Sequence, residues 1–226
     1  MNSPQVTIGC SGFPVPATKY LREFALVEVS DTAIGIPGPA LVRRWRREAP
    51  AEFVFTALAP KELSNSQFEW TPAAERALSE FLPVLRDLGA ICAVLLSAPD
   101  AVSSDENHLA ARAFLKSLVR ATPVRIVWEA PHEWSIEAAV EVVKDLDVTL
   151  ARDPRRHPPS TSDSFAYYRL NGPVGYKSRY EDSMLEQSAE TICNTSASAV
   201  YVVLANIDMY SDAKRLAGLV ETASRR

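Results

Sequence analysis

Short apolar segments alternate along the chain with longer segments of helical periodicity. The apolar segments are rich in Val, Ile and Leu, and several are unbroken, which is typical of parallel strands covered on both faces. Eight strands are predicted, over residues 6–9, 26–29, 53–55, 91–96, 124–128, 148–151, 165–170 and 199–204. Because most of them are followed by an amphipathic segment, the pattern indicates a series of strand–helix units.

Capping residues mark several of the intervening helices. Thr71 followed by Pro72 predicts an N-cap with proline in the first turn, and Gly89 predicts the end of the same helix. Ser135 predicts the start of another helix, because its hydroxyl can accept a hydrogen bond from a backbone N–H of the first turn. Besides the helix from Thr71 to Gly89, helices are predicted over about 105–122, 136–146 and 211–223.

Eight strand–helix units in 226 residues predict an α/β fold, a TIM-like (β/α)8 parallel barrel. A doubly wound parallel sheet is the alternative. Residues 152–163, RDPRRHPPSTSD, contain three prolines and no helical period, so the helix after strand 6 is expected to be missing or minimal. We find neither a linker nor an internal repeat, and we therefore expect a single domain over residues 1–226.

Composition and charge narrow the class of protein. The chain is 47% hydrophobic and 23% charged, which excludes a disordered or fibrous chain. Its 24 Lys and Arg against 28 Asp and Glu give a net charge of −4, so a nucleic-acid partner is not expected. The first residues, MNSPQVTIGC, have no signal-peptide pattern, and no apolar run reaches the roughly 18 residues of a membrane span. Three scattered cysteines indicate a reducing compartment, and we expect a cytoplasmic protein without a membrane partner.

Functional groups of such barrels lie at the carboxyl ends of the strands and on the loops that follow. Polar residues at those predicted positions are Cys10, Ser11, Glu28, Ser30, Thr56, Ser97, Glu129, Asp153, Arg169, Asn171, Asn206 and Asp208. Strand alternation puts Arg169 on one face with Tyr167 and Asn171, and it puts Glu129 on one face with Arg125. These residues are the source of the candidate site.

Glu28, Glu129 and Arg169 are the central candidates. Charges that point into a barrel are costly unless they are paired, so we expect these three side chains to lie within reach of one another. Glu28 and Glu129 are then the candidate catalytic acid and base, and Arg169 with Asn171 would orient an anionic substrate. The alternative is a satisfied ion network that fills the barrel without any catalytic role.

A second set of candidate substrate contacts lies on the loops. Ser11 and Asp153 follow the first and sixth strands, and Lys177 lies in the segment NGPVGYKSRY after the seventh. Glycines in that segment, Gly172 and Gly175, predict backbone amides open to a phosphate group, with Lys177 nearby. An ordinary turn with two glycines is the alternative.

Several weaker candidates have simple structural alternatives. Cys10 follows a strand and is either a nucleophile or a small buried side chain. The histidines show no metal-binding spacing, so no metal site is predicted, although His132 with Glu129 and Asp153 is a conceivable set. The RRWRR run at 43–47 is either a nucleic-acid patch or a solvated helix face that Trp45 anchors. The sequence leaves any cofactor unknown.

Longer motifs resemble one known family across nearly the whole chain. In family order they are IGCSGF, VEVSDT, LLSAP, WEAPHEW, YYRLNG and ANIDMYSDA. The chain resembles DUF72, the YecE-like family of unknown function, and the resemblance implies a TIM-barrel-like fold. It also implies that the family's glutamates, aspartate and arginine persist as Glu28, Glu129, Asp153 and Arg169.

The chain departs from that family's pattern at four positions. Family members usually carry a lysine where Leu58 stands, a histidine near Asn65, an arginine at Pro131 and a histidine at Asn171. The leading expectation is an enzyme that acts on a small anionic or phosphorylated ligand at the carboxyl ends of the strands. The alternatives are a catalytically degenerate binding or structural barrel and, by fold analogy, a nucleic-acid processing protein.

Overall fold

The strands pair in parallel and in sequence order, β1 to β8, as a closed barrel. The computed structural model describes residues 4–98, 101–160 and 164–223. The strands are β1 Gln5–Ser11, β2 Leu26–Val29, β3 Val54–Leu58, β4 Cys92–Leu96, β5 Arg125–Glu129, β6 Val148–Arg152, β7 Phe165–Leu170 and β8 Ala199–Leu204. All eight predicted strands are present, and the prediction of a (β/α)8 barrel is confirmed.

Helices occupy most of the connections between these strands. They are α1 Ala17–Glu23, α2 Asp31–Ile34, α3 Pro39–Glu48, α4 Lys61–Ser64, α5 Pro72–Leu88, α6 Asp105–Ala121, α7 Ile136–Val143, α8 Asp182–Cys193 and α9 Met209–Ala223. Among the predicted helices, α9 begins two residues before Ser211, and α7 ends three residues before Leu146. Beyond α7 the backbone turns at Asp145, whose φ of 61° no α-helix accommodates.

The connection from β6 to β7 contains no helix over residues 153–160, the part that the structure describes. A turn closes its first residues, since the backbone N–H groups of Arg156 and His157 both donate to the carbonyl oxygen of Asp153. The prolines that follow cannot donate to a helical ladder. The predicted loss of the sixth helix is therefore confirmed for this segment, and residues 161–163 lie outside the described residues.

The chain divides into two compact units, and each is described by itself. The first consists of Met1–Glu28 with Ala151–Arg226, and the second of Val29–Leu150. The prediction of a single domain over residues 1–226 stays a prediction. Among the described residues, no helix is both long enough and apolar enough to cross a membrane.

In the first unit, β1 lies between β2 and β8. Ser11 of β1 is the Cα partner of Glu28 in β2. On the other side β1 pairs with β8 from Gln5 to Cys10, and β7 pairs with β8 along its whole length. The first two strands approach so closely that a Cβ at Gly9 would lie 2.0 Å from the carbonyl oxygen of Leu26, so this position requires glycine.

The second unit is built on β3 to β5 and helices whose ends match the capping residues. Thr71 Oγ1 accepts from the backbone N–H of Ala74 at 3.1 Å at the start of α5, and Gly89 ends the same helix with a φ of 62°. Its core includes an aromatic cluster, in which the fully buried Trp128 ring packs edge-on against Phe68 and Trp134.

Helix α3 carries the RRWRR run and lies in the second unit. Trp45 is buried, whereas Arg43 pairs with Asp87 and Arg44 with Glu48. Arg46 donates to the carbonyl oxygen of Phe53 at 3.0 Å. These contacts fit the helix face that Trp45 anchors, because three of the four arginines are engaged by this chain's own acceptors.

Candidate functional site

The carboxylate of Glu28 is the centre of a buried polar cluster in the first unit. Its exposed fraction is 0%. Oε1 accepts from Ser11 Oγ at 2.6 Å and from Arg169 Nε at 3.2 Å. Oε2 accepts from Tyr167 OH at 3.0 Å and from Arg169 Nε at 3.3 Å. Both carboxylate oxygens are therefore hydrogen-bonded to this chain.

Strand register and alternation explain how these four residues meet. Ser11 and Glu28 are Cα partners in neighbouring strands, so their side chains lie side by side. Tyr167 and Arg169 are two residues apart in β7 and leave the strand on the same face. The expected pairing of Glu28 with Arg169 is confirmed by their ion pair.

The ion pair of Glu28 and Arg169 is almost dry, since Arg169 is only 8% exposed. Two charges taken out of water are tolerated only with good geometry and with further hydrogen bonds that satisfy them. Ser11 and Tyr167 supply neutral donors to the carboxylate, and Asn171 Oδ1 accepts from Arg169 Nη1. The guanidinium is thereby fixed in position at the carboxyl end of β7.

This bonding pattern bears on the chemistry open to Glu28. A general base needs an oxygen that can reach a substrate proton. In Glu28 both oxygens already face donors of the chain, so the geometry favours an anchor for Arg169 over an acid or base. The catalytic role of Glu28 stays a prediction.

Glu129 lies in the second unit, where it is the last residue of β5 and half-buried. Its backbone carbonyl accepts from the N–H of Ser97 at 3.0 Å. The position at the carboxyl end of a strand is the one predicted. Its role as a catalytic group, and its grouping with Glu28 and Arg169, stay predictions.

Asp153, the candidate after β6, organises the turn that it begins. Its Oδ1 accepts from the backbone N–H of Arg155 at 2.9 Å, and its own N–H donates to His157 Nδ1 at 3.0 Å. Because Nδ1 of His157 accepts a hydrogen bond here, it carries no proton in this arrangement. Contact of Asp153 with a substrate stays a prediction.

The loop from 171 to 180 corrects one expectation. The N–H of Gly172 donates to Tyr180 OH at 2.9 Å, and that of Gly175 donates to the carbonyl oxygen of Gly172 at 3.3 Å. Val174 donates to Ser178 Oγ at 3.1 Å. The prediction that Gly172 and Gly175 present open amides to a phosphate is therefore wrong, and the turn alternative is correct.

Glycine at 172 is required by the turn itself. Its φ is +91°, and a Cβ there would lie 2.1 Å from the carbonyl oxygen of Gly175. Lys177 remains an exposed cation at the tip of the same loop. Arg179 is exposed as well and lies 3.9 Å from Asp208. The loop could therefore contact an anion through the charged side chains of Lys177 and Arg179, and not through the backbone amides of its glycines.

A second buried network in the first unit was not predicted as a site. Asp212 is fully buried in the first turn of α9. Its Oδ1 accepts from Arg215 Nη1 at 2.7 Å, and its Oδ2 accepts from Asn206 Nδ2 at 2.8 Å. Asn206 Nδ2 also donates to the carbonyl oxygen of Ser178 at 3.0 Å. The network therefore ties the loop after β7 to the end of β8.

Tyr180 closes that loop. Burial raises the pKa of Tyr180 to about 12, so its hydroxyl stays protonated at neutral pH. The guanidinium of Arg155 lies over its ring at 5.7 Å from the centroid. Strand alternation predicted that Tyr167 and Arg169 share a face, but nothing in the sequence pattern connects Tyr180 with Asp212, 32 residues further along the chain.

Cys10 is a buried side chain. It is 0% exposed, its Sγ donates to the carbonyl oxygen of Met209 at 3.4 Å, and burial raises its pKa from 9.0 to about 12. A thiol is nucleophilic as the thiolate, which this environment disfavours. The structure contradicts the nucleophile hypothesis and supports the buried alternative.

The histidines are engaged in separate local contacts. His108 packs edge-on against Trp134, and exposed His132 lies 3.6 Å from Glu133. Over residues 4–98, 101–160 and 164–223, no group of three or more His, Cys, Asp and Glu side chains is arranged to hold a metal ion. The residues described hence give no basis for assigning a metal to the cluster around Glu28.

These features define a (β/α)8-barrel protein with a buried ion pair at the carboxyl ends of β2 and β7. The chain belongs to the DUF72 family, described as proteins of unknown function, whose model matches residues 17–226. The resemblance drawn from the sequence motifs is confirmed by this match. A comparison with curated protein sequences found no match.

Solved structures with the same fold include two members of that family. A DUF72 family protein from Enterococcus faecalis V583 is 17% identical, with a TM-score of 0.77 and coverage of 99% of this chain and 98% of that chain. One from Thermotoga maritima MSB8 is 18% identical, with a TM-score of 0.74 and coverage of 98% and 100%. A xylose isomerase domain containing protein from Salmonella typhimurium LT2 is 13% identical, with a TM-score of 0.63 and coverage of 100% and 98%. At these identities the similarity establishes the fold alone.

Proposed function

We propose that this protein is an enzyme that binds a small anionic ligand, phosphorylated ligands included, at the carboxyl ends of the barrel strands. The observation that carries the proposal is the buried guanidinium of Arg169, which Glu28 holds in place. Barrel enzymes place their sites at this end. A buried ion pair is a poor source of stability, so its presence there favours a functional role.

Each residue of the cluster has a distinct part in this proposal. Arg169 is the anion contact, since a guanidinium matches the planar geometry of carboxylate and phosphate oxygens. Glu28, Ser11 and Tyr167 are positioning residues that fix the guanidinium plane. Asn171 Oδ1 accepts a hydrogen bond from Arg169 Nη1 and so helps to fix the orientation of the guanidinium group.

Three further residues stay candidates from the sequence, and one of them, Glu129, lies in the second unit. Glu129 is the preferred acid or base, because Glu28 is committed to Arg169 through both oxygens. Lys177 adds positive potential from the exposed loop, and Asp153 holds the turn after β6. The xylose isomerase domain protein shares the fold, so a carbohydrate-like ligand is consistent by analogy at the level of fold.

One specific observation favours a second candidate function, a binding or structural barrel without catalysis. Both Glu28 oxygens are satisfied by Ser11, Tyr167 and Arg169, as a structural ion network requires. No comparable observation favours nucleic-acid processing, because Arg43, Arg44 and Arg46 of α3 contact acceptors of this chain. The cytoplasmic location stays a prediction from the sequence.

Thermal denaturation with added ions tests the proposal. We expect phosphate, sulfate and sugar phosphates to raise the Tm with concentration at constant ionic strength, since a ligand stabilises the state that binds it. Arg169→Met should abolish the shift, whereas Arg44→Met, which removes an exposed arginine of α3, should leave it intact. Glu28→Gln/Arg169→Met removes both charges and serves where the single variant fails to fold.

Two outcomes would reject the proposed function. An anion-induced shift of equal size in Arg169→Met and Arg44→Met would show that Arg169 is not the contact. Stabilisation by Mg²⁺, Mn²⁺ or Zn²⁺ alone, lost in Glu129→Gln or Asp153→Asn and unaffected by Arg169→Met, would assign a metal site in place of an anion site.

A further inference from the structure

Three large apolar side chains stand exposed on the loops that follow β7 and β8, in the first unit. Val174 is 90% exposed, and Tyr176 and Ile207 are each 56% exposed. The N–H of Ile207 donates to the carbonyl oxygen of Tyr176 at 2.7 Å, which joins the two loops. We call Val174, Tyr176 and Ile207 the rim patch.

The rim patch is presented by an ordered loop. Ser178 Oγ accepts from Val174 N–H and donates to the carbonyl oxygen of Gly175 at 2.6 Å. Asn206 Nδ2 donates a hydrogen bond to the carbonyl oxygen of Ser178. Hydrogen bonds thus fix the backbone of the loop while its apolar side chains stay exposed to solvent. This arrangement is typical of a preorganised binding surface.

Positive charge adjoins the rim patch. Lys177 follows Tyr176 directly and is exposed, and within the described residues no carboxylate pairs with it. Arg179, two residues further along the same loop, lies 3.9 Å from Asp208, which offsets its charge. An apolar surface beside an unneutralised cation is complementary to a molecule that has an apolar face and an anionic group.

The same loop leads directly to the cluster of the proposed site. It begins at Asn171, which accepts from Arg169 Nη1, and Ala205, just before the second loop, donates to the carbonyl oxygen of Leu170. Three side chains cover far less than the roughly 800 Å² per partner of a stable protein interface, so a small molecule fits the rim patch better than a protein.

We propose that the rim patch determines the class of ligand: an anion that carries a ring, whose apolar face packs on Tyr176 while Arg169 holds its charged group. This inference rests on the proposed function and adds a specificity determinant to it. A phenol ring is large, rigid and able to stack on an aromatic ring or on the C–H face of a sugar ring. Lys177 attracts the anion toward the patch at low ionic strength.

Affinity for matched phosphates, measured by calorimetry, tests the inference. The probes are inorganic phosphate, glycerol 3-phosphate, glucose 6-phosphate and phenyl phosphate. We expect the ring-bearing probes to bind at least tenfold more tightly than glycerol 3-phosphate. Tyr176→Ala should remove that advantage and leave the affinity for inorganic phosphate unchanged, whereas Tyr176→Phe should retain it. The comparison of glucose 6-phosphate with phenyl phosphate distinguishes a sugar ring from an aryl ring.

Leu109→Ala is the matched control, since Leu109 is an exposed apolar residue of α6 in the second unit. Lys177→Gln should lower the affinity for all four probes a few-fold, and the loss should be larger at low salt. If anion binding depends on Arg169 but is unchanged in Tyr176→Ala, the rim patch does not determine the class of ligand. The proposed function would not be affected by that result. Absence of binding by all four probes would overturn both.

One further result would overturn the rim patch as a ligand surface. If the protein self-associates in sedimentation experiments and Tyr176→Ala makes it monomeric, the patch is an interface between two copies of the chain. Tyr176→Ala replaces an exposed side chain, so the variant is expected to fold.

Discussion

Arg169 Nε lies 3.2 Å from Glu28 Oε1 and 3.3 Å from Oε2, although 141 residues separate the two in sequence. The pair is inaccessible to water on the Glu28 side and nearly so on the Arg169 side. A buried ion pair of this kind is sensitive to the loss of one partner, because the other charge is then left without compensation. The pair therefore provides a direct test of the structure.

Arg169→Met should lower the free energy of unfolding by about 3–5 kcal/mol, because it leaves the buried carboxylate of Glu28 unpaired. Glu28→Gln/Arg169→Met should lower it by clearly less than the sum of the two single changes, since neither charge then remains. Urea denaturation of the four proteins measures the coupling. Strictly additive effects would contradict a direct pair.

The loop after β7 should distinguish its two glycines. Gly172→Ala places a Cβ 2.1 Å from the carbonyl oxygen of Gly175, whereas Gly175→Ala meets nothing within 4 Å. Both positions have positive φ, so Gly175→Ala should cost about 1–2 kcal/mol from backbone strain and Gly172→Ala distinctly more. Thermal denaturation and amide exchange of residues 172–180 measure the difference. Equal costs would show that the turn relaxes around the added carbon.

Cys10 should make the protein sensitive to alkali. Burial raises its pKa from 9.0 to about 12, so the folded state holds the thiol proton more tightly than the unfolded chain does. The corresponding stability is fully present below pH 9 and is lost as the pH rises to about 12, a change of about 4 kcal/mol from three pKa units.

The alkaline effect can be assigned by substitution. Urea denaturation between pH 8 and 11 should show a shallower loss of stability for Cys10→Ala than for the unchanged protein. Cys193→Ala, which removes a partly exposed thiol at the end of α8, serves as the control. If the pH dependence of Cys10→Ala matches that of Cys193→Ala, the buried thiol does not titrate as described.

The four tryptophans give a test of the single-domain prediction. Trp45, Trp70, Trp128 and Trp134 all lie in the second unit, so their fluorescence reports on that unit, whereas far-UV circular dichroism reports on both. We expect the two signals to change together in urea, since one domain unfolds cooperatively. A biphasic dichroism curve, with fluorescence following one phase only, would show that the two units unfold separately.

The sequence was most informative where one strand or helix decides the outcome. Short apolar segments, several of them unbroken, predicted every strand, and the capping residues predicted both ends of α5. The three prolines after β6 predicted a connection without a helix, which the described part of that segment shows. In each case the physical cause is local, because side-chain periodicity, caps and missing backbone donors act within a few residues.

The sequence by itself determined the barrel, the polar residues at its strand ends and, through alternation in β7, the face that Arg169 shares with Tyr167. Only the tertiary structure decided which groups form hydrogen bonds with one another. Ser11 and Tyr167 donate to the carboxylate oxygens of Glu28, and the N–H of Gly172 donates to Tyr180 within the loop after β7. Those choices depend on the register between distant strands and on side chains such as Asp212 and Asn206 that support the loop from another element. Hydrogen bonding between groups far apart in sequence follows from packing, and packing is not encoded in the period of any single segment.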